Sequence, residues 1–184
     1  MRELTKPYPT YEECQYLWEY YKTPSHVIRH CRAVSKTAVL IAKELNQNGY
    51  SFDETLLAVA GWLHDMMRLH EDHGGAAARE LRKLGYDTVA DVVAVHMSYH
   101  LDPEKEEITE TDLLCFADRL VIEDQYSGLI RRMEYIIEKS KKYYPDAEPR
   151  IRNSFQRTRQ FKKNVEAIIG KDIEDIDHII DALD

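Results

Sequence analysis

Leu56-Leu57-Ala58-Val59-Ala60-Gly61-Trp62-Leu63-His64-Asp65 is an apolar run that ends on an imidazole and a carboxylate. Just before it, Ser51-Phe52-Asp53-Glu54 reads as a capping box, in which the Ser51 hydroxyl and the Glu54 carboxylate satisfy free backbone N–H groups. The run is therefore predicted to be a helix reaching about Met67. Outside it, apolar positions again recur at three- and four-residue spacing, the helical period. Upstream, one helix is expected from Tyr11 to Lys22 and a second from Ser25 to about Asn46, with Val27, Val34, Ala38, Ile41 and Leu45 on one face. Gly49 ends the second as a helix-terminating glycine. Downstream, helices are predicted from His73 to Leu84, stopped by Gly85, and from Asp87, read as an N-cap, to about Met97. After a charged loop at 102–107, a sixth starts at Thr109 or Thr111 and runs to about Tyr126. Two or three more fill 129–184, broken near Pro145, Pro149 and Gly170. Alternating strand-like runs are hard to find, so the fold class is all-α.

The 184 residues suit one domain with a buried core. A 43% hydrophobic content beside 32% charged residues is that of a folded globular chain and argues against disorder. No apolar run approaches the ~20 residues of a membrane span, and the first residues lack the layout of a signal peptide. Cys14, Cys31 and Cys115 are widely spaced with no CxxC, which suits free structural thiols in a reducing cytoplasm. A net charge of −8 gives no overall attraction to nucleic acid or anionic membrane. The charge is uneven: residues 131–163 are strongly basic and 171–184 strongly acidic. Those segments read as solvated helix faces, or as a basic wall over an anionic substrate, or as docking of the acidic tail onto the basic helix. Trp18 and the tyrosines of the first helix are expected to cover a core face or a dimer contact.

Of 8 histidines, His26, His70, His100 and His178 read as ordinary surface or core residues. The others sit in or beside apolar stretches: His30, His64 with Asp65, His73 and His96, along with Asp118 after Leu113, Leu114, Phe116 and Ala117. Buried imidazoles and carboxylates need partners. A shared metal would satisfy them together, and this donor set suits zinc, iron, manganese or similar ions.

Three stretches, HVIRHCRAVSKTA with His30, LLAVAGWLHDMMR with His64-Asp65 and LLCFADRLV with Asp118, resemble the H…HD…D signature of the HD superfamily of metal-dependent phosphohydrolases. The likeness covers about residues 24–121. EDHGGAAARELRKLGYDTVADVVAVHM, with His73 and His96, resembles the subgroup holding a second metal, which includes small bacterial HD proteins that hydrolyse dinucleoside tetraphosphates. The resemblance implies an HD-domain helical bundle at 1–128 with a C-terminal helical extension, 129–184, packed on it. It implies a first divalent metal on His30, His64, Asp65 and Asp118, and a second bridged by Asp65 to His73 and His96. The ion is left open among Fe, Mn, Zn, Co, Ni and Mg. Two such ions would activate a water for attack on phosphorus, with Asp65 and Arg68 as catalytic groups. Arg68 stands where many members have Lys, and it would hold phosphate with Arg29 or Arg119.

The expected function is hydrolysis of a phosphate ester or anhydride, first of all a nucleotide or dinucleoside polyphosphate. Nucleoside monophosphates and (p)ppGpp-like molecules rank beside it. Cyclic-di-GMP ranks below, because the Tyr-Pro pair of its enzymes is not seen. Two alternatives are a diiron oxygenase of the same superfamily and a non-catalytic metal- or nucleotide-binding regulator. A cytoplasmic protein, a phosphorylated small-molecule partner and a homodimer complete the expectation.

Overall fold

Helix α2 (Ser25–Gln47) is central because its sequence leaves it no exposed option on one side. Val27, Cys31, Val34, Ala38, Ile41 and Leu45 form a buried stripe that neighbouring elements must cover. In the computed structural model, which describes residues 7–179, α3 (Glu54–Leu63) and α6 (Glu110–Asp118) supply that cover. Helix α1 (Tyr11–Tyr20) packs on α3. Helices α4 (His73–Lys83) and α5 (Asp87–Ala94) pack on each other, with α5 also against α3 and α6. An antiparallel hairpin follows α6, β1 (Val121–Ile122) and β2 (Gln125–Tyr126), with Val121 opposite Tyr126. Helices α7 (Gly128–Lys141) and α8 (Glu148–Ile169) pack together, α7 touching β1 and α8 touching α2. The class is all-α, with this hairpin as the one sheet among the described residues. No described helix is long and apolar enough to cross a membrane.

The C-terminal helices are joined to the rest by side chains as well as by backbone. Phe116 of α6 meets Phe161 of α8 edge to face at 5.3 Å, a contact worth about 1 kcal/mol beyond its buried area. Phe155, Val165 and Ile169 of α8 are buried in the same core. Glu174, in the acidic tail, accepts from Lys162 of α8 at 3.0 Å and from the Tyr126 hydroxyl at 2.9 Å. The end of the tail lies outside the described residues.

Two bonds tie the first helix and the linker behind it to α3 and the turns that follow α3. The Trp18 indole donates to the Trp62 carbonyl at 2.9 Å, and the Thr23 hydroxyl donates to the Met66 carbonyl at 2.6 Å. Gly61 faces α2 so closely that a Cβ there would stand 2.4 Å from Ser35 Cα.

Several boundaries differ from the sequence reading. Asp53, not Ser51, caps α3, its carboxylate accepting from Leu56 N–H at 2.9 Å; Ser51 is exposed. Helix α3 stops at Leu63, and residues 64–69 form tight turns closed by bonds such as Arg68 N–H to Asp65 O at 3.0 Å. Met66 and Met67 are buried in those turns as they would be in a helix, so the apolar pattern carried no stop signal. Asp87 is the first helical residue of α5 rather than its cap, and the helix ends at Ala94, before His96. Helix α1 ends at Tyr20 rather than Lys22, and Lys22 has a left-handed φ of 54°. Helix α6 ends on Asp118, where a continuation to Tyr126 was expected; strands of two residues are too short to show alternation.

Candidate metal centre

Five helices deliver the histidine and aspartate side chains to one place, most of them from helix ends. His30 comes from the second turn of α2. His64 caps the C-terminus of α3 and Asp65 opens the turns behind it. His73 is the first residue of α4, whose N-cap Asp72 accepts from Gly75 N–H at 3.2 Å. His96 lies just beyond α5. Gly74 makes room for it, since a Cβ there would press on the His96 ring at 3.1 Å. Asp118 is the last residue of α6. His64, Asp65 and His73 are buried.

Backbone carbonyls fix the orientation of three rings. Nδ1–H donates from His64 to Gly61 O at 2.8 Å, from His96 to Val93 O at 2.8 Å and from His30 to Glu123 O at 2.6 Å. A carbonyl can only accept, so a neutral ring held this way carries its lone pair on Nε2. Those Nε2 atoms turn inward. His30 Nε2 lies 3.0 Å from Asp118 Oδ1. His73 Nε2 and His96 Nε2 lie 3.0 and 3.3 Å from Asp65 Oδ1, and His64 Nε2 is 3.8 Å from Asp65 Oδ2. Among the described residues, His64 Nε2, His96 Nε2 and Asp65 Oδ1 are buried with no hydrogen bond.

Lone pairs converging on a carboxylate are costly unless a cation lies among them. The donors divide into two sets whose ligand atoms lie within 4.8 Å of one another: His30, His64 and Asp65, and Asp65, His73 and His96. Asp65 is common to both, and Asp118 adjoins the first through His30. Nitrogen and carboxylate donors without thiolate suit a catalytic first-row divalent ion better than a structural zinc cage.

The electrostatics keep the two carboxylates ionised. Burial lowers His30 and His96 but is outweighed by Asp118 and Asp65, which raise those rings above their ordinary value before any cation binds. Burial would raise the Asp65 carboxyl, but His64, His73, His96 and Arg68 outweigh it and hold the group well below the usual carboxylate range. Burial likewise opposes ionisation of Asp118, and His30 with Arg132 overcomes it, so its pKa is also lowered. Burial pushes His64 down to about 4, keeping it neutral. The Cys14 and Cys115 thiols are pushed up to about 12 by burial, and Cys31 is raised too, so none is a ready nucleophile.

A cleft of about 610 Å³ opens onto the centre. His30, Asp65, Arg29 and Arg68 line it on one side and residues of α7 on the other. Arg29 is half-exposed and paired with Asp124 at 2.9 Å. Arg68 Nη1 donates to His73 Nε2 at 2.9 Å and is 3.5 Å from Asp65 Oδ1. Arg119 departs from the sequence expectation. Its guanidinium is turned away from the cleft, donating to Thr158 Oγ1 at 2.9 Å and to the Tyr99 carbonyl. It joins α6 to α8, a structural task that occupies both of its terminal nitrogens.

Three features escaped the sequence. His26, read there as ordinary, lines the cleft. Glu123 has a left-handed φ of 54° in the β1–β2 turn, which aims its carbonyl at His30. Arg132 of α7 reaches the centre, with Nη2 3.6 Å from Asp118 Oδ1. The signal for Arg132 was the basic run from 131, but composition does not say which of two adjacent arginines faces inward.

With this geometry in view, the comparison with known families is direct. The HD domain family matches residues 27–122, just over half the chain, and the chain belongs to that family, whose members are in general metal-dependent phosphohydrolases. The uncharacterized protein MJ0778 of Methanocaldococcus jannaschii is 36% identical over 72 residues. That stretch covers 38% of this chain and 43% of MJ0778, so less than half of that relative is spanned. No solved structure gives a significant match.

Proposed function

We propose that this chain hydrolyses a phosphate ester or anhydride of a nucleotide, dinucleoside polyphosphates included, with two divalent ions. His30, His64, Asp65 and Asp118 would hold the first ion, and Asp65, His73 and His96 the second. The observation that carries the proposal is the set of Nε2 lone pairs aimed at Asp65 by carbonyl-held rings. Divalent ions on such ligands lower the pKa of a coordinated water toward neutrality and offset charge on the phosphoryl oxygens.

The protein's own groups do the rest. Asp65 joins the two sets, and the carbonyls of Gly61, Val93 and Glu123 keep the rings from rotating. Arg68 and Arg29 stand at the cleft, where a guanidinium fork can take two phosphate oxygens at once. Arg29, Arg68, Arg132 and Lys139 outnumber Asp65, Glu123 and Asp124 in the cleft lining, which favours a phosphorylated substrate.

The test is metal analysis of the purified protein followed by a hydrolysis screen over nucleotides. Asp65→Ala should retain neither ion and should fall to background turnover. Full activity in that variant would defeat the assignment. Oxygen uptake without phosphate release by iron-loaded protein would assign an oxygenase instead.

A further inference from the structure

Helix α7 lies beyond the family-matched residues, yet it forms one wall of the cleft. The residues it presents are spaced for one helical face, Arg132, Ile136 and Lys139 with Tyr135 beside them, and Tyr143 follows in the turn after the helix. Arg132 stands at the inner end. Its side chain is 16% exposed, and its Nε is buried without a hydrogen bond among the described residues. Tyr135 comes next, with Arg132 Cζ 5.7 Å and Lys139 Nζ 4.4 Å from its ring centroid. Lys139 thus leans back along the helix toward the centre, as helical side chains do. The helix's acidic residues, Glu134 and Glu138, do not line the cleft; Glu138 is paired with Lys141 at 3.0 Å.

Resting on the hydrolase reading of this site, we infer that α7 reads the substrate, and that the substrate carries at least two linked phosphates. Arg132 takes the phosphoryl group at the His–Asp centre. Lys139, over the Tyr135 ring, takes the next phosphate. A single phosphate at the centre would leave the Lys139 ammonium unused. A second cation two helical turns away on an acid-free face matches an anion that extends outward, and Tyr143 at the far end offers a ring to the rest of the molecule. Arg132 also neighbours Asp118, so its removal should be felt by any phosphorylated ligand, whereas removal of Lys139 should be felt by diphosphates alone.

The experiment is calorimetric titration of the manganese-loaded full chain with AMP and with α,β-methylene-ADP, whose anhydride position cannot be cleaved. The wild-type chain should bind the diphosphate about tenfold tighter, the value of one charge-assisted contact. Lys139→Ala should bring the diphosphate down to the AMP level and leave AMP unchanged, and Lys139→Arg should restore the difference. Arg132→Ala should weaken both ligands with manganese content unchanged. Equal binding of the two ligands by the wild-type chain overturns the inference, as does a Lys139→Ala variant that loses both alike or neither. Lys139 is exposed, so its variants keep the test valid even if Arg132→Ala does not fold. Preferential diphosphate binding with no turnover of any nucleotide would sink the hydrolase reading and leave this inference standing. Turnover of AMP and ADP with equal efficiency and equal binding would do the reverse.

Discussion

Two buried carboxylates, Asp65 and Asp112, sit in surroundings of opposite kind. Asp112 is fully buried and accepts from the Tyr99 hydroxyl at 2.6 Å, Lys105 Nζ at 2.8 Å, Thr109 N–H at 2.8 Å and Thr109 Oγ1 at 2.7 Å. Every partner is a donor, so the carboxylate is complete, and it closes the capping box of α6. Asp65 is almost as buried, but its Oδ1 faces imidazole nitrogens that are not aligned to donate to it. The difference is between an acid whose hydrogen bonds its own fold completes and one with an oxygen left without a hydrogen bond among imidazole nitrogens, Arg68 standing 3.5 Å away. Burial alone does not separate a structural acid from a metal ligand; the hydrogen count on the surrounding atoms does.

The largest effect that could break this contrast is on stability. Asp112→Ala strands the Lys105 ammonium and unmakes the start of α6, and should cost about 3 kcal/mol in urea unfolding. It should leave metal content intact, unlike Asp65→Ala. Burial by itself would raise the Asp112 pKa, but Lys105, Tyr99 and Thr109 hold it below the usual value. The folded pKa is thus lower than the unfolded one, about 3.9. The stability it brings is complete above that value and is lost as pH falls through the lower folded value. The gap between wild-type and Asp112→Ala should be flat from neutrality to about pH 5 and shrink below about pH 4. A gap that stays constant at low pH would place Asp112 outside the electrostatics of folding.

A smaller effect joins packing to the centre. Gly61→Ala forces a Cβ against Ser35 and should cost about 2 kcal/mol. Because Gly61 O also holds the His64 ring, ion affinity should fall by about tenfold as well. A stability loss with unchanged affinity would show that the carbonyl does not tune the ligand. Smallest of all, Arg119→Ala should cost about 1 kcal/mol, the value of its tie to Thr158 and Tyr99. AMP binding measured by calorimetry should be unchanged in that variant; weakened binding would return Arg119 to the substrate.

The sequence is most legible where side chains carry the information. The stripe of α2, the glycine stop at Gly49 and the His64-Asp65 pair are side-chain signals, and they placed the main helices and the donor set. The acceptors that orient His30, His64 and His96 are carbonyls of Glu123, Gly61 and Val93, and a carbonyl has no letter of its own. The β1–β2 strands are too short to show alternation, and the buried Met66 and Met67 hid the break after Leu63. The facing of Arg132 over Arg131 depends on the roll of α7 about its axis, which its packing on α8 and β1 sets.

The hydrogen bonds from Trp18 and Thr23 end on the carbonyls of residues 62 and 66, one on each side of His64 and Asp65. The pair is thereby suspended between two fixed anchorages supplied by a segment that precedes the matched family region. The position of that pair thus depends on residues outside the matched region, so a chain trimmed to its family boundaries would keep the His64-Asp65 letters and lose both anchorages.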